Sequence, residues 1–196
     1  FRSTAGGMAR ALVVGLLFAL LRSSRNVVVR TATGMFVEFV RSTPLLIQIF
    51  FIYYVLPLHG IRIPALLCGV LALGLHYATY ISEVYRAGIE AVSSGQWEAC
   101  RALGLRSYRI WRHVVLPQAL PPIAPALGNY LITMFKDTPL LAMIGLQELL
   151  GAALREATET YRYYEPLALV GLIFLGFSLV AAFLLRRVET SLADQP

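Results

Sequence analysis

Long windows without any charged side chain recur along this chain of 196 residues. Asp, Glu, Lys and Arg are all absent from four windows, which span residues 42–61, 63–82, 113–135 and 166–185. Each window holds at least 20 residues, the length that a helix needs to cross the hydrocarbon core of a bilayer. One such window could be the core helix of a soluble protein. Four of them in one short chain predict a polytopic helical membrane protein.

We predict a single all-α domain over residues 1–196, with five membrane spans at about residues 4–22, 43–57, 64–82, 118–136 and 166–186. The first span is the least regular, because its uncharged centre, residues 11–21, is too short to cross alone. Extending it back to Thr4 places Arg10 in the apolar zone, where a charge is costly unless the side chain reaches the interface. The chain opens on Phe1 rather than Met, so we expect natural sequence to precede it.

Positive charges lie mostly on one side of this predicted topology. Segments 22–43, 83–117 and 186–196 carry 11 of the 17 Lys and Arg residues, whereas segments 57–63 and 138–165 carry three. Short cytoplasmic segments are enriched in Lys and Arg, so the sequence predicts an external N-terminus and a cytoplasmic C-terminus. The net charge of +6 follows from this topology, and nucleic acid is not an expected partner.

The residue types that carry chemistry exclude several functions. Cys68 falls in a span and Cys100 in a loop, so no disulfide is expected. The three histidines have no spacing that suggests a metal site. The single lysine, Lys136, does not follow the glycine turn of a P-loop. We therefore predict that this chain binds neither a metal nor ATP and carries no cofactor.

Polar residues gather on one face of the third span. His76, Thr79, Tyr80 and Glu83 follow the spacing i, i+3, i+4, i+7 of one helix face. In a membrane helix such a face points at other protein or at a water-filled path. The alternative, left open here, is a helix end that emerges into the cytosol with Glu83 paired to Arg86.

A second polar cluster, Lys136, Asp137 and Thr138, interrupts the apolar sequence after the fourth span. Ionisable groups placed there indicate a pathway by default, although a simple Lys136–Asp137 pair at the lipid interface is the other interpretation. The candidate substrate-path residues are therefore His76, Thr79, Glu83, Asp137 and Thr138.

The segment 95–117, "GQWEACRALGLRSYRIWRHVVLP", is called the hairpin below. It predicts a short helix over 96–103 that ends at a left-handed Gly104, then a second helix over 107–116 that stops at Pro117. Small residues at positions 99, 100 and 102 would form a ledge on the first helix. Such a ledge is suited to insertion into a groove of a partner.

The hairpin resembles the cytoplasmic signature of ABC-importer permeases. Glu98-Ala99-Cys100 is followed three residues later by Gly104, and nine residues lead on to Val114-Val115-Leu116-Pro117. The family pattern is E-A-A, three residues, Gly, nine residues, Ile-x-Leu-Pro, so Cys100 and Val114 are departures of similar size. The segments "VRSTPLLIQIFFIYYVLP" and "FKDTPLL" further resemble permeases for polar amino acids of the histidine, glutamine and arginine type.

This resemblance implies that the hairpin docks into a cleft of a separate ATPase, which binds the ATP. The implied coupling residues are Glu98, Ala99, Cys100, Gly104, Val114, Leu116 and Pro117. It also implies a bacterial inner-membrane location, a second permease subunit, identical or homologous, two ATP-binding subunits and an extracytoplasmic solute-binding protein. The chain itself would move solute without covalent chemistry and so would not be an enzyme.

Two alternatives to a polar amino acid importer stay open at this point. One is an importer of the same build for another small zwitterionic solute, such as a compatible solute or an opine. The distant alternative is a secondary transporter driven by an ion gradient, which would have no need of the Glu98, Gly104 and Leu116-Pro117 pattern. The outer segment 147–165 carries Glu148, Glu156, Glu159 and Glu165 and is expected to face the binding protein.

Overall fold

The structure is a computed structural model that describes residues 2–193, and this part of the chain folds into helices without strands. Its α-helices are α1 (Arg2–Arg22), α2 (Val27–Ser42), α3 (Leu45–Phe50), α4 (Ala65–Glu90), α5 (Ser94–Ala102), α6 (Ser107–Ile110), α7 (Leu116–Asp137), α8 (Leu149–Thr160) and α9 (Tyr164–Ala193). The predicted all-α class is confirmed. The predicted domain also includes residues 1 and 194–196, which lie outside the described residues.

Three of the described helices are long and apolar enough to cross a membrane, namely Ser3–Arg22, Ala65–Glu90 and Tyr164–Arg187. The pair Val27–Ser42 and Leu45–His59 would count as a fourth span only if it were one broken helix, because its two parts meet at 101°. Helix α7 has 22 residues but is not among these helices, and it contains four prolines, one glutamine and one asparagine. The number of five spans therefore stays a prediction.

Helix α4 extends beyond the predicted third span. The span was expected to end at residue 82, yet α4 continues to Glu90. Arg86 pairs with Glu83 one turn before it at 2.9 Å and with Glu90 one turn after it at 2.7 Å. Pairs at these spacings stabilise a helix, which explains why the helix outlasts its apolar sequence.

Helices α1 and α4 form the centre of the fold, where glycines bring the two backbones close together. A Cβ atom on Gly15 would lie 2.8 Å from Ile81 Cγ2 and 2.9 Å from the Ala78 carbonyl oxygen. Close packing of this kind replaces the hydrophobic driving force that is missing between helices in lipid. The buried cluster around this contact includes Ala11, Ile49, Leu73, Tyr77, Ile81, Met134 and Leu141.

The prediction that a helix stops at Pro117 is wrong. Helix α6, a π-helical turn at Trp111–Val115 and α7 follow one another without a break from Ser107 to Asp137. Proline lacks an N–H, and its ring clashes with the carbonyl four residues earlier in a regular helix. The wider π turn directly before Pro117 relieves that conflict, because the Leu116 N–H bonds to the Trp111 carbonyl five residues back.

Helix α9 packs on α7 and α8 but leaves most of its surface uncovered. Only 6% of its span is buried, and Leu172, Leu175 and Leu179 are exposed. At Gly128 on α7, a Cβ atom would lie 2.4 Å from Leu185 Cδ1. A helix that is apolar on its outer side fits lipid or another membrane subunit.

Candidate functional site

The hairpin packs around a small hydrophobic core where it meets the ends of α4 and α7. Cys100 on α5 is buried with Ile110 and Val115 from the helix that follows, and Val92, Ala119 and Ile123 complete the cluster. The Trp97 and Trp111 rings also meet edge to face, with centroids 5.4 Å apart. The two helices of the hairpin are thus held together by side-chain packing.

The structure divides the predicted coupling residues into two groups. Cys100 is 5% exposed and faces the hairpin core, and Val114 packs at the edge of that core. The exposed group consists of Glu98, Ala99, Gly104, Leu116 and Pro117. Cys100 and Val114 therefore shape the hairpin, while the exposed group provides a surface that a partner can contact.

Gly104 ends α5 in the left-handed conformation that the sequence predicts, with φ at +67°. The Leu105 N–H donates to the Cys100 carbonyl at 3.1 Å, and the Gly104 N–H donates to the Arg101 carbonyl at 2.9 Å. These two bonds form a Schellman cap. No atom lies within 4 Å of the position that a Cβ would take, so a side chain there would project from the hairpin.

An exposed leucine beside this cap was missed by the sequence reasoning. Leu103 is 76% exposed, and it lies next to the exposed Ala102 and Gly104 on the hairpin surface. Leu103 thus adds an apolar side chain to the exposed surface beside the cap. Its place directly before the cap glycine was the signal available in the sequence.

The polar face of α4 turns toward neighbouring helices. Thr79 is fully buried, and its hydroxyl donates to the His76 carbonyl oxygen at 2.6 Å. His76 is buried as well, with Nδ1 lying 3.0 Å from the side-chain nitrogen of Gln48. The sequence allowed this face to point either at other protein or at a water-filled path. His76 and Thr79 point at other protein.

Glu83 is the centre of an ion cluster that joins three helices. Its carboxylate contacts the guanidinium of Arg22 at the end of α1 and lies 3.4 Å from that of Arg41 at the end of α2. The predicted pair with Arg86 is also present at 2.9 Å. Arg41 in addition stacks over the Tyr80 ring at 5.1 Å. The cluster fastens α1 and α2 to α4 near the hairpin end of the molecule.

Asp137 and Thr138 diverge, although they are adjacent in sequence. Asp137 accepts a hydrogen bond of 2.6 Å from the Tyr77 hydroxyl. Thr138 instead lines a cavity of about 740 Å³ between the ends of α1, α4 and α7 and the helices α8 and α9, together with Ser3 and Glu148. Among the described ion pairs there is none between Lys136 and Asp137.

Three tyrosines connect Asp137 to the rest of the polar face. The Tyr130 ring lies 6.2 Å from Tyr77 and 5.7 Å from Tyr80, centroid to centroid. Tyr80 lies 5.2 Å from the His76 ring. The structure therefore joins His76 and Asp137 through one aromatic strip of Tyr77, Tyr80 and Tyr130. Glu83 connects to this strip only through Arg41, while Thr79 and Thr138 are directed elsewhere.

Gln48 was missed by the sequence reasoning as well. Its side-chain nitrogen lies 2.8 Å from the Val40 carbonyl and 2.9 Å from the Thr43 carbonyl, so it bridges the bend between α2 and α3. Gln48 is the only glutamine in the uncharged window 42–61, which contains no asparagine. An intramembrane polar residue normally has such a partner, which was the available signal.

The comparisons with known proteins decide the family. Residues 11–194 match the family described as "Binding-protein-dependent transport system inner membrane component". The chain belongs to this family. A probable amino-acid ABC transporter permease of Sinorhizobium fredii is 48% identical over 95% of this chain and 80% of its own length. The arginine transport system permease of Bacillus subtilis is 36% identical over 92% of this chain and 83% of its own length.

Solved structures of transporters share the fold of this inner-membrane component. A crystal structure of an amino acid ABC transporter with histidines matches with a TM-score of 0.92 at 36% identity, over 96% of this chain and 88% of the other. An inward-facing methionine ABC transporter matches with a TM-score of 0.76 at 23% identity, over 98% of this chain and 90% of the other, and shows the fold alone. The predicted resemblance to a permease is confirmed.

Proposed function

We propose that this chain is the membrane permease subunit of an ATP-driven importer for a polar amino acid. The observation that carries the permease role is the hairpin, a preformed and packed body whose outer surface holds Glu98, Gly104 and Leu116. The substrate class rests on relatives that are named for glutamine and arginine transport. In this proposal the chain performs no covalent chemistry, and the ATP is bound by its partner.

The continuous helix from Ser107 to Asp137 suggests how the hairpin drives the transport path. Its 31 residues span about 46 Å at 1.5 Å per residue. The helix begins in the hairpin and ends at Asp137, which bonds to Tyr77 on α4. Displacement of the hairpin by an ATPase would therefore reach the aromatic strip through one continuous helical element.

The aromatic strip with Asp137 offers groups that can bind the charges of an amino acid. Asp137 supplies a carboxylate for a cationic or zwitterionic solute, and the half-buried Tyr80 and Tyr130 rings supply faces that attract cations. The buried Tyr77 holds Asp137 in place through its hydroxyl. Charges interact strongly where water is sparse, so a carboxylate in this setting would be a selective contact. We assign the path to Asp137 with His76, and we keep Thr79, Glu83 and Thr138 as supporting positions.

One chain provides only one wall of such a path, so a second permease, identical or homologous, is required. Two ATP-binding subunits would dock on the two hairpins, and an extracytoplasmic binding protein would deliver the solute. We propose an external N-terminus and a cytoplasmic C-terminus in the bacterial inner membrane. The exposed apolar surface of α9 is consistent with a neighbour or lipid on that side.

Uptake measurements test this proposal. The complex, reconstituted with its ATPase and binding protein, should take up labelled glutamine, histidine or arginine only with ATP. Preferential uptake of a compatible solute or an opine would replace the amino acid by the alternative substrate class. Uptake that persisted without the ATPase but required an ion gradient would establish a secondary transporter and overturn the proposal.

A further inference from the structure

Arg10 places a positive charge inside an apolar helix. It lies eight residues after Arg2, the first residue of α1, and thus about 12 Å along a helix that is long enough to span a membrane. The Arg10 side chain is exposed. Its Nη1 donates to the Gly6 carbonyl oxygen at 3.3 Å, so the guanidinium points back toward the N-terminal end of α1.

Among the side chains that the structure describes, Arg10 forms no ion pair with a carboxylate. Arg22 and Arg41 differ in this respect, since both contact Glu83. A charged side chain at membrane depth is costly unless an opposite charge or water reaches it. Arg10 therefore carries a charge with no carboxylate partner in the described part of the chain, and an anion from the surrounding lipid could provide one.

A groove beside Arg10 is suited to a hydrocarbon chain. It has a volume of about 330 Å³ and is lined by Arg10, Val14, Ile52, Leu56, Ile63, Leu71, Gly74 and Leu75. Apart from Arg10 every lining residue is apolar, and most are only half-buried, so the groove is open on its outer side. Gly74 lets the arginine stem lie against α4, because a Cβ there would be 3.2 Å from Arg10 Cβ.

We propose that this groove binds one anionic phospholipid of the leaflet that surrounds the N-terminal half of α1. The phosphodiester oxygens accept hydrogen bonds from the Arg10 guanidinium, whose planar fork matches a phosphate. An acyl chain lies along Val14, Leu71 and Leu75. A headgroup without its own ammonium is preferred, because an ammonium would compete with Arg10 for the phosphate. The inference is independent of the transported solute and of the hairpin.

The experiment is native mass spectrometry of the intact transporter complex, reconstituted in phosphatidylglycerol and then moved into detergent. Wild-type complex should retain one tightly held phosphatidylglycerol per permease. Arg10→Gln should lower that retention by about fivefold or more, the effect of one cation near anionic lipid. Arg10→Lys should keep more lipid than Arg10→Gln. The control is Arg30→Gln, which removes an exposed arginine of α2 that does not line the groove and should match the wild type.

A thermal measurement guards against variants that retain little lipid because they fold poorly. Phosphatidylglycerol should raise the Tm of wild-type complex more than phosphatidylcholine does, and Arg10→Gln should abolish that difference. Equal lipid retention by wild type and Arg10→Gln would overturn the proposal. So would displacement of the lipid by inorganic phosphate, which would make the site one for free anions. Loss of the permease pair in Arg10→Gln, with lipid retention unchanged, would identify a protein interface instead.

Discussion

Gly104 is the residue on which the exposed surface of the hairpin depends most directly. Its φ of +67° disfavours any residue with a Cβ by about 1 kcal/mol or more. A side chain there would also project into open space, where the ATPase is proposed to dock. We expect Gly104→Asp to insert in the membrane normally, to lose the ATPase subunits on purification and to abolish uptake. ATPase retained per permease in detergent is the measurement.

Gly60 provides the matched control for this variant. It has φ at +82°, open space around the Cβ position and the same Schellman cap, with the Ile61 N–H bonded to the Leu56 carbonyl at 3.2 Å. The 26-residue helix α4 lies between Gly60 and the hairpin in the chain. Gly60→Asp should therefore keep the ATPase. Equal loss from both variants would show that backbone strain alone is responsible, and the coupling role of Gly104 would fail.

Asp137 is the residue whose charge we expect transport to need. Asp137→Asn keeps the shape of the side chain and an oxygen that can accept from Tyr77, but it removes the counter-charge for the solute. Uptake should fall at least about tenfold while membrane insertion and ATPase assembly stay normal, since one lost charged hydrogen bond costs roughly 1.5–3 kcal/mol. Tyr77→Phe removes only the hydrogen bond and should be milder. Unchanged uptake in Asp137→Asn would leave Asp137 with a structural role only.

The conformation of some residues follows from the local sequence, whereas the burial of others depends on tertiary packing. The left-handed Gly104 follows from the end of a short helix and needs no tertiary information. The burial of Cys100 depends on packing against Ile110 and Val115, which a sequence pattern does not show. The helix was predicted to stop at Pro117 because the sequence pattern does not show the π turn that accommodates the proline.

At the scale of elements, the contact of α1 with α4 depends on glycines that allow close approach. A Cβ on Gly15 would meet Ile81 at 2.8 Å and a backbone oxygen at 2.9 Å, so Gly15→Ala must push the two helices apart. Overpacking of this kind costs about 1–3 kcal/mol. We expect a lower Tm for the purified permease in detergent, measured by the loss of its monodisperse peak after heating.

Gly34 is the matched control for that substitution. It lies within α2, and no atom is within 4 Å of its Cβ position. Gly34→Ala gains helix propensity of up to about 1 kcal/mol, so its Tm should equal or exceed that of the wild type. If Gly15→Ala were as stable as Gly34→Ala, the backbone of α1 would have room to shift, and the close contact would not be essential.

The uncharged windows indicated where helices lie better than where they end. Window 63–82 identified α4, but the helix continues to Glu90 because Arg86 pairs on both sides along its surface. Window 42–61 does not form one straight helix, because α3 passes into a π turn and then into a short 3-10 helix at Leu56–His59. Hydropathy measures the solvent that a segment prefers, and it does not record bends or side-chain pairs.

At the scale of the whole molecule, the fold exposes apolar surfaces of the kind that a larger assembly or lipid covers. The apolar surface of α9 and the exposed Leu103 lack cover within the described residues, and Tyr80 and Tyr130 are only partly buried. Membership in a family of binding-protein-dependent transport components explains why they are left open. The sequence of one chain does not predict the solute or the number of partner subunits, because both depend on surfaces that other subunits supply.

The acidic helix α8 carries the prediction that belongs to the assembled importer. Glu156 and Glu159 are exposed on it, and the charge pattern predicts that segment 138–165 lies outside the cell. Exposed charges steer and orient a partner more than they hold it. Reversing both to Lys should weaken docking of the binding protein roughly fivefold at low salt and reduce its salt sensitivity, without changing basal ATP hydrolysis. Glu38→Lys, on α2 at the hairpin side of the fold, should leave docking unaffected. The measurement is the affinity of the binding protein for each variant at low and at high salt. If the variant with both Glu156 and Glu159 changed to Lys bound as tightly as the wild type at low salt, α8 would not be part of the docking surface.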